Sequence, residues 1–214
     1  MLTFSPNTVP EEFSLPNYAL FIVRFMLFAV AHSLFAMDRT KQFTGRYFNG
    51  SPRFYRLGYN LTSLVMFAWV MSAYSSSPVL YFAPGIWSLV MYAAQLVVAI
   101  ILFQCLRQTG AGDFLGTSQL RSDRAVTHRL VTSGFYARMR HPLYFYATVF
   151  LVLNPVMTAQ WLILTLLSIC YFIPGGLIEE RRLLETYGDE YRHYQKNVPF
   201  LLPTFKPPRT TDKS

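Results

Sequence analysis

The sequence predicts an all-α, multi-pass membrane protein of about five transmembrane helices, with a C-terminal cytoplasmic amphipathic helical segment. Three observations predict it. Of the 214 residues, 52% are hydrophobic and only 14% are charged, where a soluble domain carries roughly a quarter charged residues. Long apolar runs recur along the chain, on the scale of the about 20 helical residues that cross a bilayer. The basic residues are segregated between those runs rather than spread over them.

The first run, Tyr18–Ala36, follows residues 1–17, which hold Glu11 and Glu12 but no Lys or Arg. Without a positive n-region it is expected to be a retained span and not a cleaved leader. The second, Tyr59–Tyr74, extends at its N-terminal end, and the third is Ala83–Leu106. Two shorter runs follow, Leu143–Leu153 and Ala159–Ile173, joined by "LNPVMTAQ". Pro155 disfavours helix at Asn154, so a tight turn and a helical hairpin are expected. The first leg of that hairpin is allowed a start as far upstream as Phe135. The breaker "PGG" is expected to end the last span before Glu179 and Glu180.

Eighteen of the nineteen Lys and Arg fall in three segments, 37–56, 107–142 and beyond Ile173, while "SSSPVLYFAP" and "LNPVMTAQ" are uncharged. The positive-inside rule then places the N-terminus outside and the C-terminus in the cytoplasm. The same placement accounts for the net charge of +8 by basic loops beside anionic membrane lipid, with no nucleic acid partner. The nineteenth, Arg24, lies inside the first span and is expected to snorkel toward the near surface. His32 is expected to be a helix–helix hydrogen-bonding residue. Cys105 and Cys170 sit in apolar runs without ligand spacing and read as two free thiols, and no metal site is expected. Residues 1–110 form an N-terminal membrane region, 111–205 the region that carries chemistry, and 206–214, "KPPRTTDKS", a disordered tail.

Four features of the second region converge on one side of the membrane. In "HRLVTSGFYARMRHPLY", Gly134 permits a sharp turn and Pro142 suits the first turn of a helix. Arg138, Arg140 and His141 then stand at that helix's N-terminus, beside unpaired N–H groups and the positive dipole end, an arrangement suited to carboxylate or phosphate. In "LIEERRLLETYGDEYRHYQKNVPF", Leu177, Leu184, Tyr187, Tyr191 and Tyr194 fall at helical spacing, so the segment is amphipathic. Gly188 is expected to end one helix and Asp189 to cap the next. Glu179 and Glu180 need cations or hydroxyls so near lipid, with Arg181 and Arg182 as candidate partners of one and a ligand hydroxyl or ammonium as partner of the other. Gln119, in the polar turn "FLGTSQL", offers both a donor and an acceptor. The fourth feature is that no G-x-G-x-x-G, P-loop, H-E-x-x-H or G-x-S-x-G pattern occurs. The ligand these parts suit is zwitterionic and partly aromatic, with a cationic centre worth about 0.5–2 kcal/mol over tyrosine faces. S-adenosylmethionine and NADPH both fit that chemistry.

The stretches "HRLVTSGFYARMRHPLY" and "EE…YGDEYRHYQKNVPFLLP" together resemble the isoprenylcysteine carboxyl methyltransferase superfamily over about residues 114–204. These are integral membrane methyltransferases with phospholipid and methanethiol methyltransferase relatives. The resemblance implies an S-adenosylmethionine pocket roofed by the C-terminal segment, with contacts from Gln119, His128, Val131, Tyr136, His141, Pro142, Tyr144 and Glu179. It implies catalytic roles for Glu180, His141 and Arg140, and an acceptor that is lipophilic or small: a thiol, a carboxylate or a lipid amine. Two positions depart from the family pattern. Tyr146 stands where a glycine is usual, and is expected to narrow the groove by which a substrate chain enters. Gly175 stands where carboxyl-methylating members carry an arginine, so a carboxylate acceptor loses its partner. The competing readings are a sterol-reductase-like membrane oxidoreductase using NADPH and a non-catalytic membrane protein with a degenerate site.

Overall fold

The computed structural model describes residues 15–47, 52–75, 77–110 and 130–204. Expectations for residues 1–14, for Gln119 and His128 and for the 206–214 tail fall outside the described residues.

The elements are α1 (Leu15–Ala36), α2 (Asp38–Tyr47), α3 (Pro52–Met71), β1 (Val79–Phe82), α4 (Ile86–Gln108), a 3-10 turn at Gly134–Ala137, α5 (Pro142–Val152), β2 (Val156–Thr158), α6 (Ala159–Tyr187) and α7 (Asp189–Asn197). Each of the five anticipated apolar runs is a helix: α1, α3, α4, α5 and α6. Among the described residues, three helices are long and apolar enough to cross a membrane, Asn17–Ala36, Ile86–Gln108 and Ala159–Tyr187. The 11 residues of α5 span only roughly 16 Å at 1.5 Å per residue. In α3, Arg53 and Arg56 lie in the first two turns. Along α4, Trp87, Leu89, Leu96 and Val97 are each more than half exposed, a surface that suits hydrocarbon rather than water.

The helices assemble as two antiparallel pairs, α1 against α3 and α4 against α5, with α6 touching both α1 and α5. On α1, Phe21, Phe25 and Ala29 recur at four-residue spacing on one face and bury against Val70 of α3 and Leu164 of α6. Arg24 does not simply snorkel: it donates to Trp69 O at 3.0 Å and Ser72 Oγ at 2.8 Å, and lies over the Trp69 ring. His32 bonds Ser63 and Tyr59 of α3, the helix–helix role expected of it.

At the end of the bundle away from the basic segments, the structure adds what periodicity missed. "VLYF" and "VMT" pair as an antiparallel ladder, Val79 opposite Thr158 and Phe82 opposite Val156, with a bulge between. Both stretches are mostly β-branched or aromatic, and too short to outscore the neighbouring helices. Thr158 then caps α6 by accepting from Trp161 N at 3.1 Å. Gln160, fully buried, accepts from Ser75 N at 2.9 Å and donates to Ala73 O at 3.0 Å.

Three further expectations are corrected. The α5 leg does not begin near Phe135: a 3-10 turn and an irregular stretch precede Pro142, because Gly134 at φ +64° reverses the chain there. "PGG" does not end the last span, since α6 continues for 29 residues through Pro174. One missing N–H is tolerated in a long apolar helix whose neighbouring turns are intact. Gly188, at φ +54°, both ends α6 and precedes α7, so Asp189 opens α7 without capping it.

Candidate active site

At the basic end of the bundle, the irregular stretch Arg138–His141 meets the chain leaving α7. Arg140 N donates to Pro199 O at 2.9 Å, His141 N to Phe200 O at 3.1 Å, and Thr204 N to Arg138 O at 2.9 Å. Residues 198–204 thus form a strap across the N-terminus of α5. These bonds occupy the backbone N–H groups of Arg140 and His141, at the edge of the helix N-terminus where the sequence suggests an anion. Pro142, buried at the first turn of α5, has no N–H to satisfy.

The Arg140 side chain is turned inward. Its Nε lies 2.5 Å from Glu180 Oε1 and its Nη2 3.3 Å from Oε2, while Nη1 donates to Gln195 O at 2.9 Å and Val198 O at 2.5 Å. Glu180 Oε1 also faces His141 Nε2 at 3.2 Å, and Oε2 accepts from Gln195 Nε2 at 2.8 Å. Both oxygens of this buried carboxylate are therefore filled, and the partners are not Arg181 and Arg182. Arg182 instead donates to Ala36 O at the C-terminus of α1, at 3.2 Å. The neighbouring carboxylate is different. Glu179 has a half-exposed side chain. Its Oε2 accepts from Tyr144 Oη at 3.0 Å and lies 3.7 Å from His141 Nδ1.

Aromatic rings fix the imidazole. His141 stacks on Tyr144 at 5.3 Å and Tyr144 on Phe172 at 5.2 Å, both nearly parallel, while Phe200 tilts against His141 at 4.7 Å. Burial pulls the His141 pKa below its ordinary value, against the two carboxylates, which pull it up. The imidazole is then neutral at pH 7. In the interval below about 6.5 the unfolded chain binds more protons than the folded one, so stability falls as pH falls through it. The melting temperature in detergent is expected to drop as the pH is lowered from 7 to below about 6.5, with a shallower drop in His141→Gln.

A cavity of about 400 Å³ opens beside this cluster, within the range that takes drug-sized ligands. Its walls come from Arg56 of α3, Thr109 after α4, Leu130, Val131 and Tyr136 before α5, Glu179, Leu183 and Tyr187 of α6, and Tyr191 and Tyr194 of α7; Arg140 and His141 close one side. Tyr194 Oη is tied to Tyr136 O at 2.6 Å, so α7 is pinned over the cavity. Burial raises the pKa of Tyr136, Tyr191 and Tyr194, which keeps these hydroxyls protonated and their ring faces neutral.

Of the residues singled out from sequence, Val131, Tyr136, His141 and Glu179 line this cavity, as does Arg140. Tyr144 reaches it through Glu179, and Pro142 lies buried behind His141. Tyr146 packs edge-to-face on Phe135 and Phe145 at 5.8 and 5.2 Å, and does not line the cavity. Sequence reasoning missed Gln195 and Phe200. Gln195 follows Tyr191 by four residues and so shares its buried face, a usable signal; Phe200 carries none.

The two glycines of "PGG" differ. A Cβ on Gly176 would come within 2.8 Å of Phe200 Cζ and 3.5 Å of His141 Cε1, whereas one on Gly175 meets nothing within 4 Å. Gly176→Ala is expected to displace the Phe200 ring and cost about 1–3 kcal/mol. Gly175→Ala is expected to be neutral or stabilising by up to about 1 kcal/mol, as for an alanine replacing glycine inside a helix. Thermal melts of the two variants, side by side, check both.

No family model matches the chain, and no solved structure matches it. Curated relatives do. The chain is 31% identical to a methanethiol S-methyltransferase of Pseudomonas deceptionensis over 194 residues, 84% of this chain and 70% of the relative. It is 37% identical to methanethiol S-methyltransferase 1 of Bradyrhizobium diazoefficiens over 87 residues, 41% of this chain and 30% of that one. To a protein-S-isoprenylcysteine O-methyltransferase of Rattus norvegicus it is 32% identical over 136 residues, 58% of this chain and 46% of the relative.

Proposed function

The chain belongs to the isoprenylcysteine carboxyl methyltransferase superfamily and is a membrane methyltransferase, and on that premise we propose that it moves the methyl group of S-adenosylmethionine onto a small or lipophilic thiol. The observation that carries the reading is the cavity of about 400 Å³ walled by tyrosine rings, with Glu179 and His141 at its edge. The donor set fits the cofactor. A half-exposed carboxylate suits ribose hydroxyls or an ammonium group, tyrosine faces suit a purine and a sulfonium, and the Arg56 guanidinium in the wall suits a carboxylate.

When bound, S-adenosylmethionine supplies an electrophilic methyl on a good leaving group, so alignment and exclusion of water are the main demands on the protein. Tyr144 and Glu179 orient the cavity edge through their hydrogen bond. The tyrosines of α7, with the strap behind them, keep water from the wall. Arg140 and Glu180 hold that strap in place; with its oxygens filled, Glu180 serves better as a positioning group than as a base. A thiol is favoured over a carboxylate because Gly175 supplies no cation beside Glu179, although there is open room for one. We place the cavity on the cytoplasmic side, with five membrane-embedded helices and the N-terminus outside. The basic segments support that topology.

Titrating the purified protein in detergent with S-adenosylmethionine and, separately, NADPH tests the cofactor. Saturable binding of the first and none of the second is expected; the reverse overturns the reading.

A further inference from the structure

About two turns along α6 from Glu179, toward the membrane on the topology proposed above, three helices bring together a second set of ionisable and hydroxyl groups. His32 of α1 bonds Ser63 Oγ through Nδ1 at 2.9 Å and Tyr59 Oη through Nε2 at 2.6 Å. Ser63 donates its own proton to Tyr59 O at 2.8 Å. Its oxygen can then only accept from His32, which assigns the proton to Nδ1 and leaves the Nε2 lone pair for the Tyr59 hydroxyl. The order is a relay: Tyr59 O–H to His32 Nε2, His32 Nδ1–H to Ser63 Oγ, Ser63 O–H to backbone.

This relay adjoins the methyl-transfer cluster. The Tyr171 ring of α6 stands edge-on to His32 at 6.1 Å, and its hydroxyl meets Ser33 Oγ at 3.2 Å. The next residue, Phe172, carries the stack onto Tyr144, whose hydroxyl holds Glu179. His32, Tyr59, Ser63 and Tyr171 are all only half-buried. An ionisable side chain at this depth is costly and is kept where it serves a function.

Resting on the thiol reading above, we propose that Tyr59 and His32 form the proton exit for the methyl acceptor. As the sulfur–methyl bond forms, the acceptor S–H bond breaks, and the electron pair of the donor's sulfonium–methyl bond stays on the donor sulfur. The thiol proton passes to Tyr59 Oη while the Tyr59 proton passes to His32 Nε2. One positive charge is lost at the donor sulfonium and one appears on His32, so the site's net charge is unchanged. Glu180, by contrast, already has both oxygens filled.

The test measures kcat with an alkyl thiol of pKa about 10 and an aryl thiol of pKa about 6.5, the second already largely thiolate at neutral pH. His32→Gln keeps hydrogen-bonding capacity but cannot hold the proton, and Tyr59→Phe removes the hydroxyl. Both are expected to lose about 100-fold in kcat on the alkyl thiol, within the range for general base catalysis, and less than about 3-fold on the aryl thiol. S-adenosylmethionine affinity should be unchanged, which reports that the fold is intact. Equal losses on the two thiols, or no loss, in a wild-type background that methylates both would overturn the relay alone. A wild-type protein that methylates neither thiol overturns the thiol reading, and the relay with it.

Discussion

Arg140→Ala is expected to cost about 3–5 kcal/mol of stability, the scale for removing one partner of a buried ion pair. The Arg140 and Glu180 side chains are only 12% and 9% exposed, so the orphaned carboxylate is not rescued by water. Two backbone carbonyls, at Gln195 and Val198, lose their donor in the same step. They belong to the end of α7 and the start of the strap, so the damage spreads to the cavity wall and S-adenosylmethionine affinity falls as well. Arg138→Ala, at an exposed residue two positions away, is expected to stay within about 0.5 kcal/mol. Replacing both charges, as Arg140→Met with Glu180→Leu, should recover much of the lost stability without restoring full activity. Unfolding in mixed detergent micelles reads all three.

Glu179→Ala is expected to show the opposite signature. The side chain is half-exposed and its protein contacts are Tyr144 Oη and the edge of His141, so the fold loses little. Cofactor affinity is expected to fall about 10–100-fold, as for removal of a charge-assisted hydrogen bond. Tyr144→Phe, which leaves the carboxylate in place but unsupported, should weaken binding by only a few-fold. Calorimetric titration of the two variants against wild type checks the ordering. Adjacent glutamates on one helix thus separate cleanly: the inward one carries stability, the outward one carries affinity.

That division follows from where the helix faces point, and there the sequence had only partial information. The helix start at Pro142 and the break at Gly188 could be read directly, because proline and glycine constrain the backbone by local chemistry alone. The apolar runs of α1 and α4 are readable because their length and hydrophobicity match a bilayer crossing. The pairing of Glu179 and Glu180 was not. Arg181 and Arg182 look like partners by proximity in the chain, but residues one or two apart on a helix do not face each other, and Arg182, three beyond Glu179, turns to Ala36 O instead. The true partners, Arg140, His141, Gln195 and Tyr144, come from segments that are distant in sequence. Glycine and proline also misled once. In "PGG" they do not stop α6, and Gly176 is required instead because the Phe200 ring occupies the space a Cβ would take. The ladder between β1 and β2 was hidden because each strand is too short to show an alternation.

Methyl transfer to a thiol is measured most directly by following the methyl group itself. Membranes containing the protein are incubated with S-adenosylmethionine labelled in the methyl group, and the label is sorted into volatile thioether, base-labile ester and phospholipid. Label is expected in thioether when a thiol acceptor is present, reduced about 10–100-fold by Glu179→Ala at limiting cofactor. Label in ester or phospholipid, or label that remains entirely in the cofactor across acceptors, would contradict it.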